Sequence, residues 1–175
     1  MGYTIAGLGN PDPEYTGTRH SLGRAIVQSL ADKNLKAKLV TPDEFMNNSG
    51  KAIKPLVKSA KEAEKLIVVY DDLDVPLGSL KISFDKSSGG HKGVQSVIDQ
   101  LKTQKFIRVR IGICPTTPSG KVKKPVGEEK IIKFLMAKPT PAEQAVLKKV
   151  INRAVEAIEM TITEGWPKAA SLYSH

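Results

Sequence analysis

Apolar residues along this chain fall into two kinds of pattern. Short, nearly continuous runs read as strands. They are Tyr3 to Leu8, and Leu66-Ile67-Val68-Val69-Tyr70, which stops at Asp71-Asp72 as a central strand covered on both faces would. Two further stretches alternate. Leu80, Ile82 and Phe84 point inward with Lys81 and Ser83 outward, and Ile107, Val109 and Ile111 oppose Arg108 and Arg110. Lys38 to Thr41 is a shorter strand candidate. Helical spacing marks the rest. Ser21 caps a helix to about Lys33, with Leu22, Ala25, Ile26, Ser29 and Leu30 on its inner stripe. A second helix covers Ser49 to Ser59, and a third follows Ser87-Ser88-Gly89-Gly90 and ends near Leu101. The last opens on Thr140-Pro141-Ala142-Glu143, a capping box with proline at the first helical position. It carries Leu147, Val150, Ile151, Ala154, Val155, Ile158 and Ile162 as its stripe, and Gly165 and Pro167 end it. Residues 115–130, rich in Pro, Gly, Thr and Lys, read as a mobile basic loop. The interleaving of strands and helices is α/β by class, and 175 residues suit one domain spanning 1–175.

Composition narrows the function classes. Apolar residues make up 40%, which excludes disorder and low complexity, and no apolar run reaches the ~18 residues of a membrane helix. The opening residues lack a basic segment followed by an apolar one, so no secretory signal is expected; a soluble cytoplasmic protein is. One cysteine, Cys114, excludes an internal disulfide and a cysteine-based zinc site, and three histidines leave little for a histidine-rich one. The net charge of +9 favours anionic partners, nucleic acid first, or else a lysine-rich solubilising surface.

Ligands of open α/β sheets gather beyond the carboxyl ends of the strands. Polar clusters stand there: Asn10 with His20 downstream, then Asp71, Asp72 and Asp74. His20 alone reads as a capping histidine or as a base; a carboxylate such as Asp71 would fix its tautomer and stabilise its charged form. Asp71-Asp72-Leu73-Asp74 also reads as a solvated turn or as a carboxylate magnesium site, though no Walker-type loop accompanies it. Gly89-Gly90-His91-Lys92-Gly93 opens a helix and suits an anion or a tight turn. Asn47, in Phe45-Met46-Asn47-Asn48-Ser49, is a helix cap or a donor and acceptor for amide recognition. Arg108 and Arg110 share one strand face, as two phosphate binders would, and Lys81 lies outward on another strand.

Taken in order, these segments resemble bacterial-type peptidyl-tRNA hydrolases. The matching stretches are Gly7-Leu8-Gly9-Asn10-Pro11, Glu14-Tyr15, Thr18-Arg19-His20, Phe45-Met46-Asn47, Ser49-Gly50-Lys51-Ala52, Tyr70 to Gly78, Gly89-Gly90-His91 and Arg108 to Ile113. The resemblance implies a single α/β domain with a mixed, mostly parallel sheet flanked by helices. It implies hydrolysis of the ester between a peptide and the terminal ribose of tRNA, with no metal or other cofactor, by a cytoplasmic monomer that binds tRNA and no membrane. On that pattern His20 is the general base, Asp71 orients it, and Asn10 places the water or polarises the carbonyl. Asn47 and Met46 hold the peptide, Tyr15 lines the cleft, and Gly89 and Gly90 let substrate approach the backbone. Arg110, with Arg108 and Lys81, holds tRNA phosphates. Three positions depart from the family pattern. Lys92 stands where the family usually has Asn and would contact substrate as a donor only, Ser21 also replaces an Asn, and the stretch from the first helix to Phe45 is short, which predicts a smaller sheet on that side. Lys92 raises an alternative, a catalytically weakened RNA-binding protein of the same fold.

Overall fold

A computed structural model describes residues 2–175. Five strands, β1 (Tyr3–Gly7), β2 (Ala37–Val40), β3 (Leu66–Pro76), β4 (Leu80–Phe84) and β5 (Ile107–Cys114), form one sheet in the order β2-β1-β3-β5-β4. All neighbours are parallel except β4, which runs antiparallel to β5. The apolar run from Leu66 lands in the middle of the sheet, as its two-sided hydrophobicity requires. The short stretch before Phe45 supplies only β2, a four-residue edge.

Alternation along the strands divides the core in two. Ile5, Ile67, Val69, Val109 and Ile111 meet one layer of helices: α1 (Leu22–Ser29), α6 (Pro141–Glu164) and α7 (Trp166–Tyr173). Ala6, Leu8, Val68 and Tyr70 meet the other, which contains α2 (Ser49–Ile53), α3 (Ala60–Ala63) and α4 (Lys92–Leu101). Each buried aliphatic side chain contributes about 1.5–3 kcal/mol, so sheet register is strongly specified.

The structure departs from the sequence reading in places with identifiable causes. The helix expected over Ser49–Ser59 ends at Ile53, because Pro55 tightens the next turn to 3₁₀; the chain then extends at Val57, and Ser59 caps α3 by accepting from the Glu62 N–H. Ser21 makes no side-chain cap for α1, and its hydroxyl is buried without a hydrogen-bond partner among the described residues. β3 continues past Tyr70 to Pro76, with a register shift between Asp72 and Pro76. The segment expected to be a loop over 115–130 holds a turn, with the Thr117 N–H donating to Lys121 O, and then begins α5 (Glu128–Met136). Past Gly165, α7 continues the chain, stacking Trp166 on Phe84 of β4.

Candidate active site

His20 sits on a 3₁₀ turn, Arg19–Ser21, that returns from β1 over the end of the sheet. That turn is fixed from outside. The Arg19 backbone N–H donates to Ala137 O, and its guanidinium donates to Phe134 O at 3.1 Å and Glu143 Oε2 at 2.7 Å. Asp71 lies in the buried part of β3, 1% exposed. The two meet: His20 Nδ1 is 2.8 Å from Asp71 Oδ2.

A third group joins them. His91 is the N-cap of α4; its Nδ1 accepts the Val94 N–H at 3.3 Å, and its Nε2 lies 3.4 Å from Asp71 Oδ1. An acceptor at Nδ1 leaves the proton on Nε2, directed at Asp71. The carboxylate therefore receives an N–H from an imidazole on each oxygen. The resemblance assigned His91 no role of its own; its position after Gly90, where a helix cap is expected, was the available signal.

Burial works against charge on both partners, and their mutual attraction outweighs it. Burial disfavours the protonated form of His20, yet the charge of Asp71 and its hydrogen bond raise the imidazole pKa above its ordinary 6.5; the nearby Lys92 ammonium pulls it slightly down. Burial also acts to raise Asp71, but the charge of His20 and the bonds from both histidines hold it well below the carboxylate range. Asp71 is thus ionised and His20 Nδ1–H is its donor. His20 Nε2, with no hydrogen-bond partner among the described residues, is left for the cavity that His20 lines.

That cavity, about 670 Å³, is lined by Asn10, His20, Phe45, Met46, Asn47, Asp71, Ser88, Gly89, Gly90, His91 and Lys92, with further residues of the β3 end and α5. Asn10 Oδ1 accepts the Met46 N–H at 2.8 Å, which turns its NH₂ group loose as a donor. Met46 is buried, with its sulfur where a Cβ on Gly93 would come within 2.4 Å. Asn47 is exposed at the rim. Gly89 and Gly90 have φ of 59° and 86° with open space where a Cβ would stand, so turn geometry rather than packing requires glycine there. Tyr15 is not among the lining residues; it closes the neighbouring turn Pro13–Tyr15.

The acidic cluster does not converge. Asp71 faces the histidines, Asp72 accepts from Arg110 Nε at 2.8 Å, and Asp74 accepts from Lys124 Nζ at 2.9 Å. Three separately paired carboxylates do not form a magnesium site. His20, Asp71 and His91 do place three donor atoms within 4.8 Å of one another. A metal on His91 Nε2 would require the proton on Nδ1 and cost the cap of α4, so the donor set favours the hydrogen-bonded arrangement.

The two arginines of β5 separate. Arg108 is fully buried against Phe106, its guanidinium donating to Lys86 O and Ser87 O in the loop that leads to Gly89. The outward, phosphate-facing position expected from alternation is therefore corrected: on this face Arg108 is covered and ties down the site loop. Arg110 is partly exposed and lies directly across the β4–β5 pair from exposed Lys81, two cations on one face.

Among the described residues no helix is long and apolar enough to cross a membrane. The family model for peptidyl-tRNA hydrolase matches residues 4–175. The peptidyl-tRNA hydrolase of Thermodesulfovibrio yellowstonii is 38% identical, with 97% of each chain covered, and that of Aquifex aeolicus is 38% identical over 90% of this chain and 88% of the other. The crystal structure of peptidyl-tRNA hydrolase from Acinetobacter baumannii superposes with a TM-score of 0.85 at 25% identity, covering 99% of this chain and 96% of that one. On sequence and fold together, this chain belongs to the peptidyl-tRNA hydrolase family.

Proposed function

We propose that this protein hydrolyses the ester joining a peptide to the terminal ribose of tRNA, with His20 as general base. The observation that carries the reading is the 2.8 Å contact of His20 Nδ1 with buried Asp71, which leaves Nε2 open to a cavity shared with Asn10 and Asn47. Water in that cavity loses a proton to His20 Nε2 as its oxygen bonds to the ester carbonyl carbon. Asp71 holds Nδ1–H and stabilises the imidazolium that results. The carbonyl oxygen becomes an oxyanion, to which the free NH₂ of Asn10 and the carboxamide of Asn47 donate. The carbon–ribose oxygen bond then breaks, His20 returns its proton to the ribose oxygen, and peptide acid and tRNA leave. An ester needs no stronger nucleophile, because its leaving group is good.

The same reading gives Met46 and Asn47 the peptide backbone, Gly89 and Gly90 close substrate approach, and Arg110 with Lys81 the tRNA phosphates, whose contacts give affinity independent of tRNA sequence. Tyr15, which lies outside the cavity wall, takes no part in this reading. The proposal includes action as a cytoplasmic monomer, with tRNA as the partner. Lys92, which suggested a binding-only protein, stands exposed at the cavity rim with Nζ 3.9 Å from Glu128, and the steps above use His20, Asp71, Asn10 and Asn47 without it. Hydrolysis of N-acetyl-aminoacyl-tRNA by the wild type and by His20→Ala tests the reading. A fall in kcat of about 10²–10⁴ is expected, and comparable turnover by both would remove His20 from the mechanism.

A further inference from the structure

One wall of the cavity has no role in the hydrolytic steps. Helix α5 turns Ile131, Ile132, Leu135 and Met136 into the cavity, the i, i+1, i+4, i+5 spacing of a single helical face. Such a stripe ordinarily packs on a core. Here no α5 residue is fully buried, and Ile131, Ile132 and Met136 belong to neither core. Ile132 is 46% exposed, and Phe45, on the same cavity, is 52% exposed. The helix is nonetheless fastened on its other side. Phe134 packs on the main core, Leu135 stands at the border of that core and the cavity, and the Arg19 guanidinium lies 4.2 Å above the Phe134 ring. The aliphatic face is thus held in place beside His20, whose own turn carries Arg19.

The chemistry of the substrate selects an occupant. A ribose-phosphate chain is polar and anionic, nucleobase edges carry donors and acceptors that these four side chains cannot match, and the peptide backbone suits the carboxamides. What remains is an amino-acid side chain. We propose that the α5 face is a subsite for the side chain of the residue whose carboxyl forms the ester, and that it favours large apolar side chains. The inference rests on the hydrolase reading and extends it to substrate preference.

The test varies one residue on one tRNA body, charged chemically with N-acetyl-leucine, N-acetyl-phenylalanine, N-acetyl-glycine or N-acetyl-aspartate. The wild type is expected to show kcat/KM about tenfold higher for leucine and phenylalanine than for glycine, with aspartate lowest. In Ile132→Asn, and independently in Ile131→Asn, the ratio collapses toward one, while Ile132→Met keeps it; thermal melts establish that each variant is folded. Equal rates for all four substrates with the wild type would overturn the subsite and leave the hydrolase reading standing. A preference that persists in both Asn variants would overturn its assignment to α5. Hydrolysis of none of the four would overturn the hydrolase reading itself.

Discussion

At the scale of single residues, the site depends on one buried carboxylate between two imidazoles. Because His20 in the folded protein holds its proton more tightly than an ordinary histidine, activity that needs the free base rises with pH through a midpoint above 6.5. Asp71→Asn removes the attraction that raises that midpoint, so the residual activity titrates at lower pH. Lys92→Asn removes a cation that disfavours imidazolium, so its midpoint moves up. A pH–kcat/KM profile of the three proteins checks the order Asp71→Asn below wild type below Lys92→Asn. The same linkage acts on stability. The His20 contribution is complete below about pH 6.5 and is lost as pH rises through the raised value. The Asp71 contribution is present above about pH 3.9 and is lost as pH falls through its depressed value.

Elements set how these residues meet. The first turn of α4 reaches the cavity only because Gly93 leaves room for the Met46 sulfur and Leu8. Gly93→Ala would improve helix propensity on an exposed helix; here, overpacking is expected to cost about 1–3 kcal/mol and to reduce activity, as read by chemical denaturation and turnover on one preparation. The loop before α4 hangs on Arg108. Arg108→Gln leaves the backbone carbonyls of Lys86 and Ser87 without their donor, a loss of about 1–3 kcal/mol. Its signature is lower stability with an unchanged salt dependence of tRNA binding, the reverse of a phosphate contact.

Charge acts on the scale of the whole molecule. The excess of nine positive charges raises the local concentration of tRNA anywhere on the surface, but only cations free to meet phosphate change the salt slope. Arg110→Gln and Lys81→Gln are each expected to reduce the slope of log K against log salt by about one, measured by tRNA binding across a salt series. Arg110 first has to share its guanidinium with Asp72, so Lys81→Gln gives the cleaner change.

The strands, their order of burial and the long capped helix were legible in the chain, because period-two and period-3.6 apolar patterns are local and α6 carries its start signal as a capping box. The grouping of His20, Asp71, Asn10 and Asn47 around one cavity was legible too, through the ordered motifs of a resemblance. Other features depended on long-range packing. Alternation places Arg108 on a face but cannot tell whether that face is covered, and Phe106 with the Lys86–Ser87 loop covers it. The first turn of α5 read as the end of a loop because Glu128, Glu129 and Lys130 follow a Pro-, Gly- and Lys-rich stretch, and the helix is fastened through Phe134 by an arginine 115 positions away. His91 read as a letter in a glycine-rich motif until α4 and β3 brought its two nitrogens between a backbone N–H and Asp71. Sequence by itself determined which groups could do acid–base chemistry on an ester; the tertiary structure decided which of them share one carboxylate, since a 2.8 Å hydrogen bond between residues 51 positions apart exists only once the sheet has closed.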